Sequence, residues 1–458
     1  MRIVICGAGQ VGYGIAERLA AERNDVCVID SSPKLISILR ERLDVRGVVG
    51  HGAHPEILAQ AGAEQADMLI AVTQSDEVNM IACQVAHSVF KVPTKIARVR
   101  AQSYLAPHWR DLFSREGIPI DVVISPEVEV GETVIRRLSL PGAIESISVA
   151  DDQVIVFAVT CNRDCRMVET PLKQLTELFP DLGAVVVGAV RGTQARVLGG
   201  NDALEPGDVA YVVARADQVK RTLAIFGHDV GEAKRVVIVG AGNIGFYVAK
   251  GLEARGSKVR LKMIEASAAR AEEVAQALSH TVVLNGSALD QSLLLEAEVG
   301  QADTVVTLTN DDQANILAGV MAKQLGCKRS LVLINSTTYP DFTAALGIDA
   351  YIAPRAVTVS RVLRHVRRGR IRSVHALQNG AAEVIEADAL ETSPLIGRPL
   401  REVDLPAGVR IGAIYRNRSV ILPRGDTTIH PRDRIVLFAE KERVRQVEHM
   451  FRVSLEFF

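Results

Sequence analysis

Two stretches decide the fold: Arg2-Ile3-Val4-Ile5-Cys6-Gly7-Ala8-Gly9-Gln10-Val11-Gly12 and, later, Gly240-Ala241-Gly242-Asn243-Ile244-Gly245. Each glycine turn follows a short apolar strand and opens a helix. In that setting the spacing reads as a dinucleotide-binding turn. The first glycine permits the bend, the second lets backbone approach a pyrophosphate, and the third lets helix and strand pack closely. Gly240 lies 233 residues after Gly7. One copy suggests a dehydrogenase; two in one chain point elsewhere.

The repeat extends well beyond the glycines. After the first turn come a helix over 14–21, a strand Val26-Cys27-Val28-Ile29-Asp30, the segment Val48-Val49-Gly50-His51-Gly52, and a strand Asp67-Met68-Leu69-Ile70-Ala71-Val72-Thr73 followed by Asp76 and Asn79. The second half repeats the series with a strand over 259–265, then Val282-Val283-Leu284-Asn285-Gly286 and Asp303-Thr304-Val305-Val306-Thr307-Leu308-Thr309, followed by Asp312 and Asn315. The offset grows from 233 to 236, and a two-residue insertion is placed in the strand that ends at Glu265. On this alignment His51 matches Asn285. Alternating apolar strands and amphipathic helices with short connections predict a doubly wound parallel sheet in each half.

A smaller module follows each of these. Its β-branched runs lie at 153–160, 184–190 and 209–214 in the first half and at 382–387, 409–415 and 434–439 in the second. Matching turns, Glu205-Pro206-Gly207-Asp208 and His430-Pro431-Arg432-Asp433, lead into the last run. The predicted class is α/β: two tandem Rossmann-like domains, residues 1–124 and 232–352, each followed by a small α+β domain, residues 140–226 and 372–455. Helical segments near 131–138 and 357–368 join them.

At 458 residues with 48% apolar and 23% charged residues, composition is that of a globular protein of several domains. A net charge of −1 gives no global reason to expect nucleic acid as a partner. The strand at residues 2–6 leaves no room for a signal-peptide pattern, and no apolar stretch reaches membrane-spanning length, so a cytoplasmic chain is expected. The six cysteines are scattered, mostly in apolar patterns where a thiol acts as a small hydrophobe. Cys161 and Cys165 form a possible redox or metal pair, but nothing at ligand spacing completes a metal site, and none is expected.

The doubled glycine motif, the doubled Thr-x-x-Asp-x-x-Asn and the doubled small module together resemble the TrkA family, over essentially the whole chain. That family is the cytoplasmic nucleotide-binding subunit of bacterial Trk potassium uptake, built from two tandem RCK units. The resemblance implies a non-enzymatic regulator that assembles as a homo-oligomeric ring of RCK domains, a dimer or tetramer of the chain. It implies attachment to the inner face of the membrane beneath a potassium channel subunit such as TrkH or TrkG.

In each half the diphosphate is expected at the N-terminus of the first helix, where free N–H groups and the helix dipole favour an anion. That assigns Gly7, Gly9, Gln10, Val11 and Gly12 to one site, and Gly240, Gly242, Asn243, Ile244 and Gly245 to the other. Asp30 and Glu265 close the second strand where a carboxylate accepts from ribose hydroxyls, which disfavours a 2′-phosphate. NAD(H), ATP and ADP share that ribose. Asp30 could instead cap the helix after Ser31-Ser32-Pro33. Thr73, Asp76 and Asn79, with Thr309 and Asp312 opposite, belong either to the ligand crevice or to an N-cap network. His51 and Asn285 complete the candidate contacts.

The halves differ after the fifth strand. Aligned on Tyr104 and Tyr339, Arg98 meets Leu333 and Arg100 meets Asn335. The first site is therefore expected to tolerate more phosphate charge, as in ATP or ADP, and the second to favour a dinucleotide; alternatively Arg98 pairs with a neighbouring carboxylate. A basic cluster, Arg361, Arg364, His365, Arg367, Arg368, Arg370 and Arg372, contains no acid; it reads as a solvated helix face, an intramolecular interface with acidic partners, or a docking face for a membrane subunit or anionic lipid. An NAD-dependent oxidoreductase remains the rival, along with a nucleotide sensor for another transporter. Neither small module holds an acid/base arrangement that its partner repeats, and no catalytic residue is assigned.

Overall fold

The apolar run at residues 2–6 becomes an inner strand of a six-stranded parallel sheet, buried from Ile3 onward. The computed structural model describes residues 1–451 apart from 164, 180, 193, 230, 256–258, 337, 344, 367–370 and 378–380. The first sheet contains β1 (Arg2–Cys6), β2 (Asp25–Asp30), β3 (Arg46–Val49), β4 (Met68–Ala71), β5 (Thr94–Arg98) and β6 (Val122–Ile124), in the order β3-β2-β1-β4-β5-β6. Helices α1 (Gln10–Ala21), α2 (Pro33–Arg42), α3 (Pro55–Gln60) and α4 (Asp76–Ser88) connect its strands, and α5 (Pro126–Ser139) leaves it. Inner strands covered on both faces explain the near-continuous apolar runs.

An antiparallel sheet follows, with β7 (Glu145–Val149), β8 (Val154–Thr160), β9 (Ala184–Arg191), β10 (Gln194–Val197) and β11 (Val209–Arg215) ordered β10-β9-β11-β8-β7, beside α6 (Leu172–Leu178) and α7 (Val219–Ile225). The second parallel sheet has β12 (Arg235–Val239), β13 (Arg260–Glu265), β14 (Val282–Asn285), β15 (Thr304–Thr307), β16 (Ser330–Leu333) and β17 (Ala350–Ile352), ordered β14-β13-β12-β15-β16-β17. Its helices are α8 (Asn243–Ala254), α9 (Ala268–Ala277), α10 (Gln291–Glu296), α11 (Asp312–Gln324) and α12 (Pro354–Val366). The last sheet has β18 (Ile371–Leu377), β19 (Ala382–Asp388), β20 (Val409–Arg416), β21 (Ser419–Ile421) and β22 (Arg434–Glu440), ordered β18-β19-β22-β20-β21, followed by α13 (Val444–Met450). Read in either half, the strand orders are the same. The chain is α/β, with two Rossmann-like sheets and two antiparallel ones.

The β-branched runs of the small modules are β8, β9, β11, β19, β20 and β22, and β7, β10, β18 and β21 add an edge strand at each side of the two sheets. Two expectations are corrected. The two-residue insertion is not in a strand, because β2 and β13 are each six residues long and α1 and α8 each twelve. It falls in the connection between α8 and β13, where extra residues cost only a little loop entropy, whereas inside a paired strand they would force a bulge. His51 does not correspond to Asn285. Val49 pairs with Asp30 as Asn285 pairs with Glu265, and the N–H groups of Gly50 and Gly286 both donate 2.9 Å bonds to the carbonyls of those acids. The offset is therefore already 236 at this point, and His51 matches Ser287.

The chain divides into two compact units, Met1–Ile135 with Lys234–Val366 and Arg136–Ala233 with Arg367–Phe458. The sheets thus associate by kind rather than by repeat. In the first unit α12 packs on α1, and Val362, Leu363 and Val366 join the core of the first sheet with Ile15 and Leu19. Reciprocally, α5 lies against α8. A Cβ on Gly14 would stand 3.1 Å from Val359, and one on Gly131 would stand 2.3 Å from the Tyr247 ring. Gly14 and Tyr247 both sit two residues after the third glycine of their turn, and Val359 and Gly131 both five after the helix-opening proline. It is one contact made twice, with its bulk on opposite sides.

In the second unit one hydrophobic core takes residues from both small modules, including Val156, Tyr211 and Val213 from one and Val384, Val436 and Phe438 from the other. The repeated turn is fixed the same way in each. The Arg191 guanidinium grips buried Asp208 at 2.8 and 2.9 Å, and Arg416 grips buried Asp433 at 2.8 and 2.7 Å.

Candidate functional site

Both glycine turns lie at the carboxyl ends of the strands β1 and β12, at the crevice where open α/β sheets take ligands. Gly7 and Gly240 have φ of 112° and 95°, in the region that favours glycine, and their N–H groups each donate a 2.8 Å bond across to the second strand. A Cβ on Gly12 would come within 1.8 Å of the Gly7 carbonyl oxygen, and one on Gly245 within 2.0 Å of that of Gly240. The middle glycines are different: nothing lies within 4 Å of a Cβ built on Gly9 or Gly242. Those two are the open side of each cradle.

Gly9 and Gly242 are also the N-caps of α1 and α8, and no side chain caps either helix. By contrast α2, α4, α9, α10 and α11 are capped by Ser32, Ser75, Ser267, Asp290 and Asp311. The first-turn N–H groups beside exposed Gln10 and Asn243, and half-buried Val11 and Ile244, are thus left for an anion.

Asp30 and Glu265 close β2 and β13 and hold the turns. Asp30 accepts from the Ala8 N–H at 2.7 Å and from Ser32 at 2.8 Å; Glu265 accepts from Ala241 at 2.7 Å and Ser267 at 2.9 Å. The extra methylene of glutamate reproduces the aspartate geometry. Each carboxylate oxygen keeps a second lone pair for a ribose hydroxyl.

Thr73, Asp76 and Asn79 form a lacing rather than an N-cap, since Ser75 and Asp311 do the capping. The Thr73 N–H and hydroxyl donate to Asn79 at 2.8 and 2.7 Å, and the Asn79 amide donates to the Arg98 carbonyl at 2.9 Å. Asp76 accepts from the N–H groups of Arg100 and Ala101. The second half repeats this: Thr309 with Asn315, Asn315 with the Leu333 carbonyl, and Asp312 with the N–H groups of Asn335 and Ser336. Arg98 and Leu333 therefore occupy equivalent places, as do Arg100 and Asn335.

Among the described residues Arg98 takes no carboxylate. It donates to the Thr73 carbonyl at 2.6 Å, and its Nε is buried without a partner. Burial, with Arg100 beside it, lowers its pKa from the usual guanidinium value. The ion pair belongs instead to Arg100, which meets buried Glu127 at 2.8 Å. The second turn has its own cation, missed from sequence: Arg270 donates to the Ala241 carbonyl at 2.9 Å and stacks over Phe246 at 5.5 Å. The pattern of an Arg three residues past the cap serine was its only signal. His51 stands beyond β3 with its ring 4.6 Å from that of His54, and Asn285 donates to the Glu265 carbonyl at 2.9 Å.

In the basic cluster Arg361 pairs with Glu129 at 2.9 Å and Arg372 with Asp388 at 2.7 Å, so acids from elsewhere in the fold meet its two ends. Arg367, Arg368 and Arg370 lie outside the described residues. Cys161 and Cys165 are buried free thiols in one small-module core. Their mutual hydrogen bond pushes Cys161 up and brings Cys165 down to about 7. Among the described residues no group of three His, Cys, Asp or Glu is arranged for a metal, and no helix is long and apolar enough to cross a membrane.

The TrkA-N domain family model matches residues 3–126 and again 236–354, and the TrkA-C domain model matches 384–452. The chain is 58% identical to the Trk system potassium uptake protein TrkA of Azorhizobium caulinodans, covering 100% of both chains. It is 40% identical to the protein of that name from Halomonas elongata, again covering 100% of each. In structure it resembles the GsuK channel bound to NAD, with a TM-score of 0.60 at 17% identity, covering 98% of this chain and 78% of that one.

Proposed function

The chain belongs to the TrkA family of Trk-system potassium uptake proteins, and from that premise we propose that its two glycine turns are unequal nucleotide sensors that gate a membrane potassium channel subunit of the TrkH or TrkG type. The observation that carries this reading is the pair of uncapped helix N-termini, each with an open middle glycine and a carboxylate at the ribose position. Asp30 and Glu265 would hold the adenosine ribose, with the turn N–H groups on the diphosphate. Arg98 and Arg100 suit the first site to ATP or ADP; Leu333 and Asn335 suit the second to NAD(H).

A nucleotide that binds one arrangement of the domains better than another shifts the population by its differential affinity, and the channel receives that shift. Two sites allow energy charge and redox state to be combined. The chain would act as a homo-oligomer at the inner face of the membrane. Along its whole length the chain matches potassium-uptake proteins.

The test is calorimetry with NADH, NAD, ATP and ADP on the whole chain and on Asp30→Ala and Glu265→Ala. The expected result is two classes of site, each lost with one substitution. Absence of adenine-nucleotide binding to the unmodified chain overturns the reading.

A further inference from the structure

We infer that Arg355, contributed by the second half, belongs to the first nucleotide site and reads the terminal phosphates of a nucleoside di- or triphosphate bound there. This rests on the reading of the first glycine turn as an adenine-nucleotide site. Arg355 stands on the first turn of α12, the helix that packs along α1. Its guanidinium lies 5.8 Å from the Tyr13 ring centroid, and its Nε and Nη2 would be 3.2 and 3.3 Å from a Cβ on Gly14. Gly14 is four residues from Gln10, about 6 Å along the helix axis from the N–H groups that would take the diphosphate. The missing side chain at Gly14 is what lets the cation lie against the helix.

A guanidinium near a helix N-terminus feels like charge from the dipole, which is unfavourable unless an anion joins it. Among the described residues no carboxylate pairs with Arg355, and its one recorded partner is the Tyr13 ring. The anion that satisfies both the cation and the open helix end is a phosphate. The equivalent position in the first half, the residue after the helix-opening proline, is Glu127, already taken by Arg100. The second site thus receives no such cation from α5; its own, Arg270, comes from α9 and already pairs with Glu273 at 2.7 Å. A site on one half is completed by a residue from the other.

The experiment uses the full chain carrying Gly242→Asp, which sets a carboxylate in the open cradle of the second turn so that adenine nucleotides report on the first. AMP, ADP and ATP are titrated into this chain and into the same chain with Arg355→Ala or Arg355→Lys. The expected result for Arg355→Ala is a loss of ATP affinity of about tenfold, a smaller loss for ADP and AMP within about twofold, with Arg355→Lys recovering most of it. An unchanged ATP-to-AMP preference in Arg355→Ala, or an equal loss for all three, overturns the inference while leaving the first site standing. Failure of the Gly242→Asp chain with Arg355 intact to bind any adenine nucleotide overturns the site and the inference together.

Discussion

Arg98 is held at a cost to the fold. Its Nε is buried without a partner, and the carbonyl it reaches, that of Thr73, already accepts from Asn79 at 3.1 Å. A buried donor without a partner forfeits its hydration, which lowers stability. Replacing it by Met, which fills similar space with no polar atom, should lower ATP affinity at the first turn about tenfold while leaving the thermal midpoint unchanged or higher. Calorimetry beside a melting curve checks both halves; a drop in midpoint with ATP affinity intact would make Arg98 a structural residue. The asymmetry at Arg98 and Leu333 was legible in sequence because the tyrosines fixed the alignment. Arg270, against the Ala241 carbonyl, and Arg355, against Tyr13 and Gly14, were not, because each makes a contact that only the packed helices create. The doubled Thr, Asp and Asn were legible as a set, yet their lacing of strand ends was not, since sequence spacing does not reveal which N–H groups loops will leave without partners.

At the scale of elements, the two parallel sheets read out plainly because strands buried on both faces must be apolar throughout. The edge strands of the small modules did not, and the similarity of Val-Val-Gly-His-Gly to Val-Val-Leu-Asn-Gly drew the alignment two residues astray where only strand pairing could correct it. The start of β12 is tied to β15 by Asp303, which accepts from the N–H groups of Lys234 and Arg235 at 3.0 Å and pairs with Lys328 at 2.8 Å. Burial alone would raise its pKa, but Lys328 and the two N–H groups win and hold it at about 2. A carboxyl whose folded pKa is depressed contributes stability above its unfolded pKa near 4, lost as pH falls through 2. Asp303→Asn should therefore cost about 1 to 2 kcal/mol at neutral pH. The gap from the unmodified chain should close in acid, as denaturant titrations at stepped pH would show. A gap that stays constant down to pH 2 would contradict this assignment.

Across the whole molecule, the small modules share one interior. Phe438 is fully buried, 5.6 Å from Tyr211 of the other module, and a Cβ on Gly188 would stand 2.6 Å from its ring. Phe438→Ala should cost about 3 to 5 kcal/mol in that unit. Hydrogen exchange should then quicken in β11 and β22 together, and quickening confined to β22 would show that the modules fold separately. The paired helices of the first unit carry a different lesson, one about matching. The contact between Gly14 and Val359 recurs as Tyr247 against Gly131, with the large partner moved to the other helix. Two copies of the first half would meet glycine to glycine and leave a hole; two copies of the second would drive a tyrosine into a valine. At these helices each half is therefore shaped to its sibling and not to a copy of itself.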